Sequence, residues 1–102
     1  MVSNLSIGAL NNGWLVCLNV IISEFNTANP SHTVAALPNG IINGNWIVAT
    51  NYLITELNTQ LIAIGNTTIP ALTNSDINNG WQFAIRTLVT HLNSKLPAIV
   101  NI

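Results

Sequence analysis

Charge is what this sequence has least of. Lys95, Arg86, Glu24, Glu56 and Asp76 are its only formally charged side chains, 5% of 102 residues, against roughly a quarter in an average globular domain. Seventeen asparagines and many serines and threonines take their place. A free soluble protein usually keeps a charged surface that opposes association, so a chain this neutral reads as one meant to associate. Two basic residues are too few for a nucleic-acid footprint, and no nucleic-acid partner is expected. The lone Cys17 excludes an intramolecular disulfide and a multi-cysteine metal site. No uninterrupted apolar run reaches the roughly 18 residues of a membrane span. The best stretch, residues 46–64, is broken by Asn51, Thr55, Glu56, Asn58, Thr59 and Gln60, so no membrane partner is expected. The opening MVSNLSIGALNN has neither a positive n-region nor a long apolar core. No secretory signal is therefore expected, and the sequons at Asn4 and Asn66 carry little weight.

What the chain does have is an internal repeat. NNGWLVCLNVIISEFNT (11–27), NGNWIVATNYLITELNT (43–59) and NNGWQFAIRTLVTHLNS (78–94) align without a gap. Each places Asn and Gly just before Trp, and Asn followed by Thr or Ser twelve and thirteen residues after it. A second element precedes each copy: SIGAL (6–10), TVAAL (33–37) and TIPAL (68–72). The chain is expected to be one domain of three repeats, about 6–30, 33–65 and 68–99.

Counted from each Trp as zero, apolar residues recur at positions 0, 3, 7, 8 and 11. They are Trp14, Cys17, Ile21, Ile22 and Phe25; Trp46, Ala49, Leu53, Ile54 and Leu57; Trp81, Ala84, Leu88, Val89 and Leu92. This is one face of a 3.6-residue helix. Position 4 joins the stripe as Leu18 and Ile85 but is Thr50 in the middle copy. The opposite face carries Asn19, Asn51 and Arg86, with Ser23, Thr55 and Thr90. Asparagines just before each Gly or Trp offer N-caps, Pro30 and Pro97 stop the first and third helices, and Gly65 is a plausible end for the second. The expectation is a mainly all-α fold with helices near 12–28, 44–64 and 77–95, the second longest.

The connections are long for an up-down bundle. A linker of about 12 extended residues reaches roughly 40 Å, enough to run back along one helix and start the next parallel to it. The favoured architecture is thus a pseudo-threefold three-helix bundle of extended-segment-plus-helix repeats, with short strands allowed between the extended pieces. An antiparallel three-helix bundle is the alternative. Packing between repeats falls to Trp14, Ile21, Phe25, Trp46, Leu53, Leu57, Trp81, Leu88 and Leu92.

Little in the chain resembles a catalytic set, and no enzyme is expected. Glu24, Glu56 and His91 share position 10, flanking the stripe, but no nucleophile or orienting partner recurs with them. Two histidines in different repeats do not make up a zinc site, and His32 belongs to a solvated loop. Cys17 matches Ala49 and Ala84, as a small core residue would. No catalytic residue, metal or cofactor is assigned. Asn19, Asn51, Arg86, Asn26, Asn58 and Asn93 are the candidate interface residues, the last three with side-chain amides expected to satisfy the final helical turn or an interface.

AALPNGIINGNWIVATNYLITELNTQL and PALTNSDINNGWQFAIRTLVTHLNS resemble a segment of tailed-bacteriophage tail-fibre and head-fibre proteins, in which an extended piece and an Asn-Gly turn lead into a helix ending Leu-Asn. The resemblance implies a unit near the attachment end of a homotrimer, with three helices packed about an axis. This chain departs from it in carrying three units in tandem with no long fibre domain after them. The tandem units would then do within one chain what three chains do in a fibre. The implied role is a virion structural protein, assembled in the host cytoplasm: a capsid decoration, a minor head protein or a fibre-anchoring plug. Its partners would be other virion proteins (capsid, portal-proximal or fibre) or further copies of itself. A small membrane-active lysis-type protein and a small-ligand binding module are the rivals from other classes. The latter would draw on the residues that break the repeat, Thr50, Gln82, Arg86 and His91.

Overall fold

The computed structural model describes residues 11–96. Within them run α1 (Trp14–Ala28), α2 (Asn39–Ile42), α3 (Trp46–Ala63), α4 (Asn74–Asn78) and α5 (Trp81–Lys95). The three long helices are the three repeated cores, and α3 is the longest at 18 residues. Every pair of them is in contact, giving a triangular bundle. The one-turn helices α2 and α4 were not anticipated; they shorten the path before Trp46 and Trp81. SIGAL and Pro97 lie outside the described residues.

The helix starts correct one expectation. The capping residue is whichever immediately precedes Trp, and only the middle copy has Asn there. Asn45 has extended φ/ψ, and its Oδ1 accepts from the Val48 N–H at 2.9 Å. In the other copies the residue is Gly13 or Gly80, at φ 101°, ψ 172° and φ 92°, ψ 169°, with no side-chain cap. That region is open essentially to glycine alone, which accounts for NGW in two copies and GNW in the third. The end of α3 meets its expectation: the Gly65 N–H donates to Ile62 and the Asn66 N–H to Leu61, with Gly65 at φ 83°. This is a Schellman ending.

The repeated Asn at position 12 determines how the chain turns back. Asn58 Nδ2 donates to the Ile69 carbonyl at 3.0 Å, and its Oδ1 accepts from the Ile69 N–H at 2.8 Å. Asn26 makes the same pair with Val34, at 2.9 and 2.7 Å. Each primary amide thereby holds both backbone groups of the second residue of TVAAL or TIPAL. Among the described residues these pieces form no strand, because the peptide groups a strand partner would take are held by the helix's side chains. Val34, Leu37 and Ile69 point their side chains into the core.

The direction of return follows from a second contact. Asn51 Oδ1 accepts from the Leu72 N–H at 3.3 Å. Asn58 and Asn51 are two helical turns apart, about 10 Å, and Ile69 and Leu72 are three extended residues apart, also about 10 Å. Residues 69–72 therefore run backward along α3. The Thr73–Asp76 capping box starts α4, and α5 begins beside the start of α3. At the other end Asn66 Nδ2 donates to the Lys95 carbonyl at 2.9 Å, and Lys95 Nζ donates to Thr67 at 2.7 Å. Both ends of α3 and α5 are thus together, and the two helices are parallel. The antiparallel alternative does not hold for them.

The core contains Cys17, Leu18, Ile21, Phe25, Leu53, Leu57, Leu61, Ile85, Leu88 and Leu92, each large apolar side chain contributing about 1.5–3 kcal/mol by burial. Position 3 is Cys17, Ala49 or Ala84, all fully buried; small side chains there allow the helices to approach. The tryptophans are only half-buried. Each opens its helix at the end of the bundle, where neighbours cannot surround it.

Two variants test this account. Asn58→Ala leaves the Ile69 N–H and C=O without their partner and should lower stability by about 2 kcal/mol in urea unfolding, while Asn43→Ala, on an exposed turn, should change it by under about 0.5 kcal/mol. Gly80→Ala meets no steric obstacle within 4 Å, yet should cost about 1–3 kcal/mol through backbone strain alone.

Candidate interaction surface

The position-10 residues Glu24, Glu56 and His91 are each half-buried at the margins of the stripe. Among the described residues no group of three or more His, Cys, Asp or Glu side chains could hold a metal ion. His32 is half-buried rather than fully solvated, and its backbone N–H donates to the Asn29 carbonyl at 3.0 Å. Cys17 is in the core; burial pushes its thiol pKa up, partly offset by the positive charge of Arg86.

Thr50 is the repeat-breaking residue that the fold buries completely. It occupies the site that Leu18 and Ile85 fill in the other copies, and its hydroxyl has no hydrogen-bond partner. A buried hydroxyl left unpaired is a net cost.

The six candidate interface residues separate by role. Asn26 and Asn58 are half-buried, with amides held by Val34 and Ile69, and Asn51 is engaged with Leu72. Asn19 and Arg86 are exposed on the outer faces of α1 and α5. Asn93 is half-buried near the end of α5.

The residues that sequence reasoning passed over are at position 2. Among the described residues four large apolar side chains are exposed, and three of them, Val16, Val48 and Phe83 at 39, 47 and 48%, hold that same repeat position. The fourth is Ile62 on α3. At about 100° per residue, position 2 is at about 200° on the helical wheel, nearly opposite the core stripe. The signal was present as an apolar residue in all three copies at a position where a solvated face calls for a polar one. Around these tips are Ser23, Thr55, Thr90, Thr27 and Thr59, all exposed. The Thr27, Thr55, Thr59 and Thr90 hydroxyls bond back to the carbonyl four residues earlier, which leaves these faces less hydrated than their composition implies.

Charge is scarcer on the surface than in the sequence. Asp76 is buried in its capping box, Lys95 is tied to Thr67, Glu24 and Glu56 are half-buried, and only Arg86 is exposed. The bundle therefore presents three related outer helix faces, each an apolar tip among neutral polar groups, with Arg86 added on α5. Contacts made by such a surface depend on apolar burial and neutral hydrogen bonds more than on charge.

Thr50→Val, which keeps the volume and removes the orphan hydroxyl, should raise stability by about 1 kcal/mol in urea unfolding; an equal loss would show that the hydroxyl has a partner. No protein-family model, no curated protein and no solved structure matches this chain.

Proposed function

We propose that the chain is a non-enzymatic structural subunit of a virion, seated against a larger viral lattice through its charge-poor outer faces. The observation that carries this reading is the coincidence of Val16, Val48 and Phe83, exposed apolar side chains at one repeat position on a surface where only Arg86 is an exposed charge. Outward apolar residues whose one exposed charged neighbour is Arg86, beside Phe83 on α5, oppose life as a free monomer. Their repetition in three copies means that one chain offers quasi-equivalent contacts to several surrounding subunits, as a plug or decoration in a symmetric lattice would. The likeness of the repeats to phage fibre segments supplies the virion setting. Among the described residues no helix is long and apolar enough to cross a membrane, so that feature of the membrane-active rival has no support.

The chain should be found by mass spectrometry in purified particles of the virus that encodes it, at a fixed ratio to a major structural protein. Absence from particles would sink the reading. Phe83→Asn should weaken incorporation by about 2 kcal/mol of lost burial, more than tenfold in occupancy under competition, without unfolding the bundle, because Phe83 is outside the core.

A further inference from the structure

The exposed apolar side chains belong to a pattern longer than one repeat position. Counted from each Trp, positions 2, 6, 9 and 13 are at about 180–240° on the helical wheel, opposite the core stripe. On α3 they are Val48, Tyr52, Thr55 and Thr59, and on α5 they are Phe83, Thr87, Thr90 and Ser94. The steps of four, three and four residues are those of a coiled-coil seam, and Ile62 continues the seam on α3. All four exposed large apolar side chains of the described residues are on this seam or on its counterpart in α1. No charged residue is in it. The hydroxyls of Thr55, Thr59, Thr90 and Ser94 already donate to carbonyls of their own helices, so covering the seam leaves none of those donors unpaired.

The flanks of the seam identify what covers it. With positions 2, 6, 9 and 13 read as d, a, d and a of a heptad, position 5 is a g site and position 10 an e site. Position 5 of α5 is Arg86, exposed, and position 10 of α3 is Glu56, half-buried. In a parallel helix pair a g residue faces the e residue five places further along its partner, and five is the interval from position 5 to position 10. In an antiparallel pair g faces g and e faces e, which would set Arg86 against Asn51 and Glu56 against His91. Within one chain α3 and α5 turn these seams away from each other, so the complementary charges can meet across the seam only between copies. Glu24 is at position 10 of α1, but it already interacts within its own chain.

We propose that the outer face of α5 takes the outer face of α3 of a second copy of this chain, parallel and in register, with Arg86 paired to Glu56 of the next copy. Phe83 then meets Val48 and Thr87 meets Tyr52, and two layers of hydroxyl residues follow. The apolar layers supply the burial, and the solvated ion pair selects partner and orientation more than it adds affinity. The contact is heterologous: each copy keeps a free α3 face at one side and a free α5 face at the other, so association proceeds past the dimer into a ring or a row with all bundles pointing one way. A strip about 20 Å by 10 Å on each side is small for a specific interface, so each single contact is weak and reversible. The proposal rests on the two seams and their flanks and holds whether or not the chain is part of a virion.

Sedimentation equilibrium of the purified chain up to about 1 mM at low salt tests it. The wild type should associate beyond the dimer. Arg86→Glu should weaken association at least about fivefold, and the exchanged pair Arg86→Glu with Glu56→Arg should restore it to within about twofold. Phe83→Asn should weaken it independently of salt. A chain that stays monomeric or stops at a dimer overturns the proposal, as does association that Arg86→Glu and Phe83→Asn leave unchanged, or a loss that the exchanged pair does not restore. Circular dichroism checks that each variant is folded. Should the exchanged pair not fold, magnetisation transfer between the Phe83 ring of labelled wild-type chains and the Val48 methyls of unlabelled ones decides the matter, its presence supporting the contact and its absence refuting it.

Discussion

A primary amide carries on one short side chain the same donor and acceptor that a peptide group offers, and this bundle uses that equivalence at each visible return of the chain. Asn26 and Asn58 hold Val34 and Ile69 by both backbone groups. Without such a partner, an extended segment lying beside a helix would leave peptide groups unpaired at a part-buried site, which costs more than a hydrogen bond is worth when made. With it, the segment can run backward along the helix and bury Val34, Leu37 and Ile69. The parallel course of α3 and α5 depends on this, since parallel neighbours need a crossover of that length.

The same choice explains the chemistry of the surface. Asparagine and threonine satisfy backbone groups without bringing charge, and here they do so through the return segments, helix caps and i−4 bonds along the outer faces. Two of the five charged side chains are committed to partners within the bundle, Asp76 to a cap and Lys95 to Thr67. Apart from Arg86, what faces outward on the long helices is a repeated pattern of apolar tips and neutral polar groups, a surface whose contacts depend on shape and burial more than on steering by long-range fields.

Much of this was legible in the residues. The 3.6-residue phase of the stripe put Cys17, Ile21, Phe25, Leu53, Leu57, Leu88 and Leu92 in the core, because only a helix brings those spacings to one face. Asn45 and Gly65 identified a start and an end of α3 because their cap chemistry is local. The position of the tryptophans was less legible: their phase is that of the core, but each is the first residue of its helix, and depth along an axis leaves no mark on a helical wheel. The outward tips were legible and passed over, since Val16, Val48 and Phe83 add apolar character to an already apolar sequence.

The amino-acid sequence by itself determined the three units, the helical class and the buried face of each helix, since these follow from periodicities within a few turns. Only the tertiary structure decided the destination of the repeated asparagines, the parallel course of α3 and α5 and the isolation of the Thr50 hydroxyl. A hydrogen bond from Asn58 to Ile69 or from Asn66 to Lys95 depends on where two distant pieces of chain lie in space, and spacing along the chain does not contain that.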